Sequence, residues 1–317
     1  MRIVLHGQQA FGKAVLERLL EDGEDVVAVC CAPEKEGKPA DPLADLAREK
    51  GLPLHQPASW KTPEALELMQ SFNADVCMMA YVLLFVPEAV RNAPTHGTFQ
   101  YHPSLCPQHR GPSSINWPIA MGKKHTGLTI FWPDDGLDEG PIMLQKTCPI
   151  CPDDTLGDIY FKNLFPMGVD AMMEALAMVK AGVIIKHDQR LDDGTYEGWF
   201  NKDAARLDWS KPVAETYNTI RAGNPAPGAW SMIDGEEIKI YDAARLDGDG
   251  PNHGEVVAVS DDGITVQGNG GQILIKRVRP AGAGKMTASE WAQSAGISIG
   301  KIMAVSYTHL RAHETRI

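Results

Sequence analysis

Positive charge is the first thing this 317-residue chain is short of. Thirty lysines and arginines face 41 aspartates and glutamates, for a net charge of −11 and a pI of about 5.4. That field repels a long polyanion, so DNA is not an expected partner and a general nucleic-acid coat protein is excluded. A structured RNA stays compatible, because a local basic patch can sit on an acidic whole. Long apolar runs are missing too. No segment approaches the roughly eighteen uninterrupted apolar residues of a spanning helix, so no membrane partner is expected. Met1-Arg2-Ile3-Val4-Leu5 runs into Gly7, which reads as a short buried strand meeting a turn and not as a signal peptide. Cysteine is sparse and scattered: Cys30, Cys31, Cys77, Cys106, Cys148 and Cys151. Most lie in or beside apolar runs, as reduced core thiols of a cytoplasmic protein do. Cys148-Pro-Ile-Cys151 has metal or redox spacing, but no second pair or histidine cluster accompanies it, so no metal is expected.

What is present is a first half that alternates strand and helix. Residues 3–5, 26–31, 75–80, 99–102 and 128–132 read as strands, and a further apolar strand follows Gly140. The apolar runs are continuous, as in strands buried on both faces. Between them, residues 13–21, 41–50 and 87–92 read as helices, and 154–182 as one long amphipathic helix with acidic residues near its start. This alternation predicts an α/β domain, a mostly parallel sheet with helices on both faces. The pattern turns weak and polar near residue 183. After a helix at 212–221, turn signals become dense: Asn224-Pro-Ala-Pro-Gly228, Asp247-Gly-Asp-Gly250, Asp261-Asp-Gly263 and Asn269-Gly-Gly271. Short alternating strands at 238–241, 255–259, 264–266 and 272–278 lie between them, which predicts a smaller β-barrel domain. The expected division is a first domain over 1–182, a linker over 183–204 and a β-rich domain over 205–304. Residues 305–317 follow no apolar period. They read as translated adapter sequence that has replaced the native C-terminus, so His309 and His313 carry no functional weight.

Gly7-Gln-Gln-Ala-Phe-Gly12 follows a strand and opens a helix, the context of a dinucleotide-binding turn. The spacing is not Gly-x-Gly-x-x-Gly, and no acidic residue follows the second strand where a ribose would need one. NAD is therefore not expected, and the glycines read as packing residues. The Gly12-Lys13 pair lacks the rest of a phosphate-binding loop.

The densest run of special residues is Gly97-Thr-Phe-Gln-Tyr-His-Pro-Ser-Leu-Cys-Pro-Gln-His-Arg-Gly111. A buried strand ends at His102, and Pro103 and Pro107 stiffen the turn behind it. Ligands of open parallel sheets bind beyond the carboxyl ends of strands, so His102 is expected in a cleft, with Gln100 on the same strand face. The second cluster, Thr126 to Gly140, ends another apolar strand in a loop holding Asp134, Asp135, Asp138 and Glu139. Asp134, Asp135 and Glu139 read as solvated. Asp138, between Leu137 and Gly140, is placed to be partly buried, where a carboxylate becomes chemically useful.

Together, His102-Pro-Ser-Leu-Cys-Pro-x-x-Arg-Gly111, Leu137-Asp-x-Gly140 and the alternating first half resemble the folate-dependent formyltransferase family. The resemblance covers nearly all of residues 1–304, and Arg221-Ala-Gly-Asn-Pro-Ala-Pro-Gly-Ala229 is similar to the opening of that family's C-terminal domain. It implies a Rossmann-like first domain, an OB-like second one, and 10-formyltetrahydrofolate as donor in one-carbon metabolism, without metal. An amine or water attacks the formyl carbon. His102 steadies the oxyanion or moves a proton to the leaving folate nitrogen, and Asp138 orients His102 and the nucleophile. Gln100 stands where the wider family usually has asparagine, keeping the amide donor on a stem one methylene longer. Folate contacts carry over onto Leu84, Phe85 and Val86 and onto Ser104, Leu105, Cys106 and Pro107, with Cys106 replacing the usual leucine. Arg110 reads as a residue that steadies the loop or meets the folate's carboxylates, with the structural role favoured. Pro141 stands where the family often has aspartate.

The acceptor stays open. The two-domain length resembles methionyl-tRNA formyltransferase, so charged initiator tRNA is a candidate partner. The loops Tyr101-His-Pro-Ser-Leu105, His109-Arg-Gly111, Ile115-Asn-Trp117 and Phe131-Trp-x-Asp-Asp-Gly-Leu-Asp138 are similar to the formyl-hydrolase domain of 10-formyltetrahydrofolate dehydrogenase, which points to water. The loop at 32–41 has no excess of basic residues, and 205–304 has slightly more acidic residues than basic ones, which counts against tRNA. A sugar amine is a further acceptor. A folate-binding protein without turnover and a nucleotide-dependent oxidoreductase are the readings from other classes.

Overall fold

Strand and helix alternate from the start of the computed structural model, which describes residues 1–304; the expected adapter-derived tail at 305–317 lies outside the described residues. The chain runs β1 (Arg2–Gly7), α1 (Gln9–Glu21), β2 (Asp25–Cys30), α2 (Pro42–Glu49), β3 (Leu54–His55), α3 (Pro63–Ser71), β4 (Val76–Ala80), α4 (Glu88–Arg91) and β5 (Thr98–His102). It continues through α5 (Asn116–Ala120), β6 (His125–Phe131), β7 (Ile142–Pro149), α6 (Leu156–Asp158) and α7 (Phe165–Lys180). Two units emerge. The first comprises Met1–Gly111, Gly127–Cys148 and Phe161–Tyr196; the second comprises Pro112–Thr126, Pro149–Tyr160 and the chain from Glu197.

The first unit is built on a seven-stranded sheet ordered β3-β2-β1-β4-β5-β6-β7. Its pairs from β3 to β5 are parallel, and β6 runs antiparallel to β5. The strands are apolar throughout because helices cover the faces: every residue of β4 is buried, as are five of six in β1. Phe11, Val15, Leu16 and Leu19 form the buried stripe of α1. Phe11 stacks on Tyr101 at 4.3 Å and meets Phe165 edge-on at 5.5 Å. The helix starts follow local chemistry: the Asp41 carboxylate accepts from the Leu43 N–H ahead of Pro42, and Thr62 caps α3 ahead of Pro63.

The glycine turn after β1 serves packing. A Cβ on Gly7 would lie 2.4 Å from the Ala80 carbonyl oxygen, and one on Gly12 would lie 3.0 Å from the Leu43 side chain. The turn also holds an anion of the protein's own, since both Asp41 carboxylate oxygens accept from the Gln9 N–H at 2.9 Å.

The helix expected over 154–182 is present as one uninterrupted helical run from Leu156 to Lys180, but it changes type on the way. Thr155 and Asp158 cap α6 reciprocally, residues Ile159–Leu164 widen into a π-helical turn, and α7 starts with Pro166 in its first turn. A proline has no N–H to donate back along the helix, so the regular ladder cannot run through it. Residues 183–196 are tied down within the first unit: Ile142 and His187 exchange backbone hydrogen bonds at 2.8 and 2.9 Å, and Arg110 bridges to Tyr196.

In the second unit, α8 (Val213–Ala222) precedes β8 (Ala229–Ile233), β9 (Glu236–Ile240), β10 (Ala243–Leu246), β11 (Val256–Ser260), β12 (Gly263–Gly268), β13 (Gly271–Ile275), β14 (Arg277–Pro280) and β15 (Met286–Thr287). Then come α9 (Ala288–Ala295) and β16 (Met303–Ala304). The strands form two antiparallel sheets, β10-β13-β12-β11 and β15-β14-β9-β8-β16. Both turn their apolar faces to one core: Ile238 and Ile240 from one sheet, Ile264, Val266, Ile273 and Ile275 from the other, and Trp291 from α9. The hairpin from β8 to β9 turns on Asp234 and Gly235, both at positive φ, as a two-residue loop requires.

Candidate active site

Three parallel neighbours, β1, β4 and β5, end at one edge of the first unit's sheet. The strand order reverses direction between β1 and β4, and an open α/β sheet has its crevice where that happens, beyond the carboxyl ends. The loop after β4 carries residues 84–86, and the loop after β5 carries 103–111. His102, the last residue of β5, sits opposite Thr129 of β6, and Gln100 opposite Phe131. His102 is 6% exposed, so it is a buried strand-end histidine that needs partners.

It has two. Nε2 donates to the His109 carbonyl at 3.2 Å, and Nδ1 lies 3.5 Å from Asp138 Oδ2. Both ring nitrogens therefore face oxygen acceptors. Asp138 is 9% exposed, and the same Oδ2 accepts from the Gly111 N–H at 3.0 Å. The loop that starts at His102 thus curls back to supply one group to the histidine and another to the carboxylate. His109 and Asp138 both hold φ of 56°, the left-handed region that only a few non-glycine residues tolerate.

A polar frame holds the loop. The Thr129 hydroxyl donates to the Ser104 carbonyl at 2.7 Å and accepts from the Cys106 N–H at 3.0 Å. Gln145 Nε2 reaches both the Cys106 carbonyl and the Thr129 hydroxyl, at 2.7 and 2.9 Å. The Ser104 hydroxyl donates to the Gln108 carbonyl at 2.8 Å. Cys106 is buried, and burial together with the Asp138 charge pushes its thiol up to about 12. It is a thiol and not a thiolate at neutral pH, hence not a nucleophile there. Ser104 is fully buried, and Leu105 and Pro107 are half-buried.

The segment 84–86 mixes roles. Val86 is buried, Leu84 half-buried and Phe85 48% exposed, with the Lys61 ammonium 5.0 Å from the Phe85 ring. Its frame is a residue that the sequence did not flag. Arg91, 5% exposed, donates from one guanidinium nitrogen to the Val86 carbonyl at 2.5 Å and from the other to Asp135 at 2.9 Å. One buried cation therefore joins the loop after β4 to the aspartate-rich loop. Asp135 is exposed, as expected, and also pairs with Arg91; Glu139, expected to be solvated, is half-buried and pairs with Arg110. Arg110 takes the loop-steadying place expected of it. Gln189 also went unforeseen. Its amide nitrogen donates to the carbonyls of Asp138 and Gly140, at 2.9 and 2.7 Å. It stands in the weakly patterned stretch after residue 183, where no local signal marks it. Thr129 and Gln145 were given no role by the sequence, since each acts on the backbone of a loop distant in sequence.

Comparison with known proteins identifies the family. A formyl transferase family model matches residues 1–176, and a formyl transferase C-terminal domain model matches 200–296. The mitochondrial 10-formyltetrahydrofolate dehydrogenase of Mus musculus is 36% identical over 329 residues, covering 99% of this chain and 35% of that protein. The chain thus spans about a third of the length of the dehydrogenase relatives it matches. Methionyl-tRNA formyltransferase of Trichlorobacter lovleyi is 31% identical over 307 residues, covering 95% of this chain and 96% of that one. Among solved structures, HypX from Aquifex aeolicus in complex with tetrahydrofolic acid shares the fold, with a TM-score of 0.68 over 94% of this chain and 48% of that one, at 19% identity. The two domain matches and the likeness along nearly the whole of the Trichlorobacter enzyme make this chain a member of the formyl transferase family.

Proposed function

We propose that this chain takes the formyl group from 10-formyltetrahydrofolate, releases tetrahydrofolate, and passes the formyl group to methionyl-tRNA or another amine. The observation that carries the reading is the buried His102–Asp138 pair, 3.5 Å apart at the carboxyl edge of the sheet. An acyl transfer from a tertiary amide needs three things there: a base for the nucleophile's proton, a donor for the oxyanion and a proton for the departing nitrogen. The nucleophile attacks the formyl carbon, and the carbonyl becomes an oxyanion. Collapse then breaks the bond to the folate nitrogen, which leaves protonated. Asp138 would orient His102 and take the nucleophile's proton. His102 serves as oxyanion donor or proton carrier, and the Gln100 amide is a second donor to the oxyanion. Leu84, Phe85 and Val86 would line the pterin site, with the 104–107 loop as its other wall. No metal and no nicotinamide enter these steps, and the cytoplasm is the proposed location.

Water is the second reading of the acceptor, giving formate. The likeness of the 101–138 loops to the formyl-hydrolase domain favours it, as does the identity with the dehydrogenase relatives. The deciding experiment incubates the protein with 10-formyltetrahydrofolate alone, with charged initiator tRNA and with a nucleotide-linked amino sugar. Tetrahydrofolate and formate without an acceptor assign hydrolysis. Release that depends on one acceptor, with formyl on its nitrogen, assigns that acceptor. Binding of the donor without release in any mixture would make the chain a folate-binding protein and overturn the proposal.

A further inference from the structure

The geometry points to Gln189 as the residue that positions Asp138 for the chemistry proposed above, on which this inference rests. Asp138 is a non-glycine residue at φ 56°, and its carboxylate is aimed at His102 and the Gly111 N–H only while its backbone keeps that conformation. A left-handed aspartate persists where its surroundings hold it. The hold on the backbone side is the Gln189 amide nitrogen, which donates to Asp138 O at 2.9 Å and Gly140 O at 2.7 Å, on either side of Glu139. The amide can face only one way. Both of its partners are carbonyls, so the nitrogen must point at them, and Oε1 is left buried without a partner. A buried orphan acceptor is a cost to the fold, which a purely space-filling side chain would not carry. Gln189 is itself anchored, two residues past the His187–Ile142 backbone exchange. The loop has little slack in return, because a Cβ on Gly140 would lie 1.9 Å from the Trp132 carbonyl oxygen.

The positioning role is tested on the full chain with Gln189→Met, which keeps the length and removes the donor. Two readouts are needed, one of them independent of turnover. The first is hydrogen exchange at the Gly111 amide, whose acceptor is the Asp138 carboxylate; its protection is expected to fall at least tenfold while amides of β1 and β4 keep theirs. The second is kinetic: kcat is expected to fall tenfold or more with KM for the folate donor within twofold, and Gln189→Met in an Asp138→Asn background should cost nothing further. Unchanged protection at Gly111 would overturn the positioning role, and so would a loss that adds fully to that of Asp138→Asn. If the wild-type chain releases no tetrahydrofolate, the functional reading fails, and Gly111 exchange still decides the clamp. Gln189→Leu, uncharged and also without a donor, supplies the same readouts should the methionine variant not fold.

Discussion

At the scale of single residues, hydrogen-bond partners separate two similarly buried histidines. His102 and His6 both sit at or near the carboxyl ends of strands, β5 and β1, on either side of β4, and both are almost fully buried. His102 has an oxygen at each nitrogen, whereas His6 Nδ1 has no partner and its ring lies 4.9 Å from that of Trp60. Burial alone pushes the His6 ring from 6.5 down to about 3. The folded form therefore keeps His6 neutral while the unfolded chain protonates it below pH 6.5. Stability from this group is complete above pH 6.5 and declines as pH falls toward 3, by up to about 1.4 kcal/mol per pH unit for one proton. Replacing His6 by phenylalanine should flatten the decline of urea-unfolding stability between pH 6.5 and 4. An unchanged slope would mean that other groups dominate it. The sequence drew attention to His102 and not to His6, because only the former stands in a run of prolines and polar residues. It placed Asp138 correctly as the buried carboxylate of its loop. It could not show that Asp135 and Glu139 are paired, because their partners Arg91 and Arg110 lie 44 and 29 residues away.

At the scale of elements, the strands of the first unit were legible because burial on both faces leaves continuous apolar runs. α3 and α5 were not read from the sequence, and the helix expected over 154–182 holds a π-helical stretch at Ile159–Leu164 that its apolar pattern did not reveal. The elements that hold the site are set by close backbone approach, which makes particular glycines decisive. Gly140→Ala is expected to push the Asp138 loop away from Trp132 and cost about 1–3 kcal/mol, as overpacking does. Chemical denaturation measures the cost, and loss of Gly111 amide protection would show the displacement reaching the site. A Gly140→Ala variant as stable and as protected as wild type would show the loop to be pliable. In the second unit, Thr287 and Glu290 form a reciprocal cap on α9. Thr287→Ala should therefore lower unfolding stability by about 1 kcal/mol, with no change in turnover. A change in kcat there would show α9 reporting to the chemistry.

At the scale of the whole molecule, the two-part organisation was readable from the shift in turn density, and the β domain appears as two sheets over one core. The segment after residue 183 was not readable as part of the first unit, because its attachments are backbone bridges to Ile142 and Arg110 that leave no apolar period. The net charge of −11 bears on the acceptor. If methionyl-tRNA is the acceptor, kcat/KM for it should fall steeply with salt, since phosphate contacts release counterions. Turnover with water or a neutral amine should be nearly flat over the same range. Salt-independent transfer to tRNA would mean that few phosphates are held. The central claim is that the His102–Asp138 pair carries formyl chemistry, and the single-turnover rate of tetrahydrofolate release from 10-formyltetrahydrofolate tests it most directly. The expected result is a fall of about 10²–10⁴ in His102→Ala and in Asp138→Asn, with donor affinity within threefold of wild type. Release at the wild-type rate in either variant would contradict it.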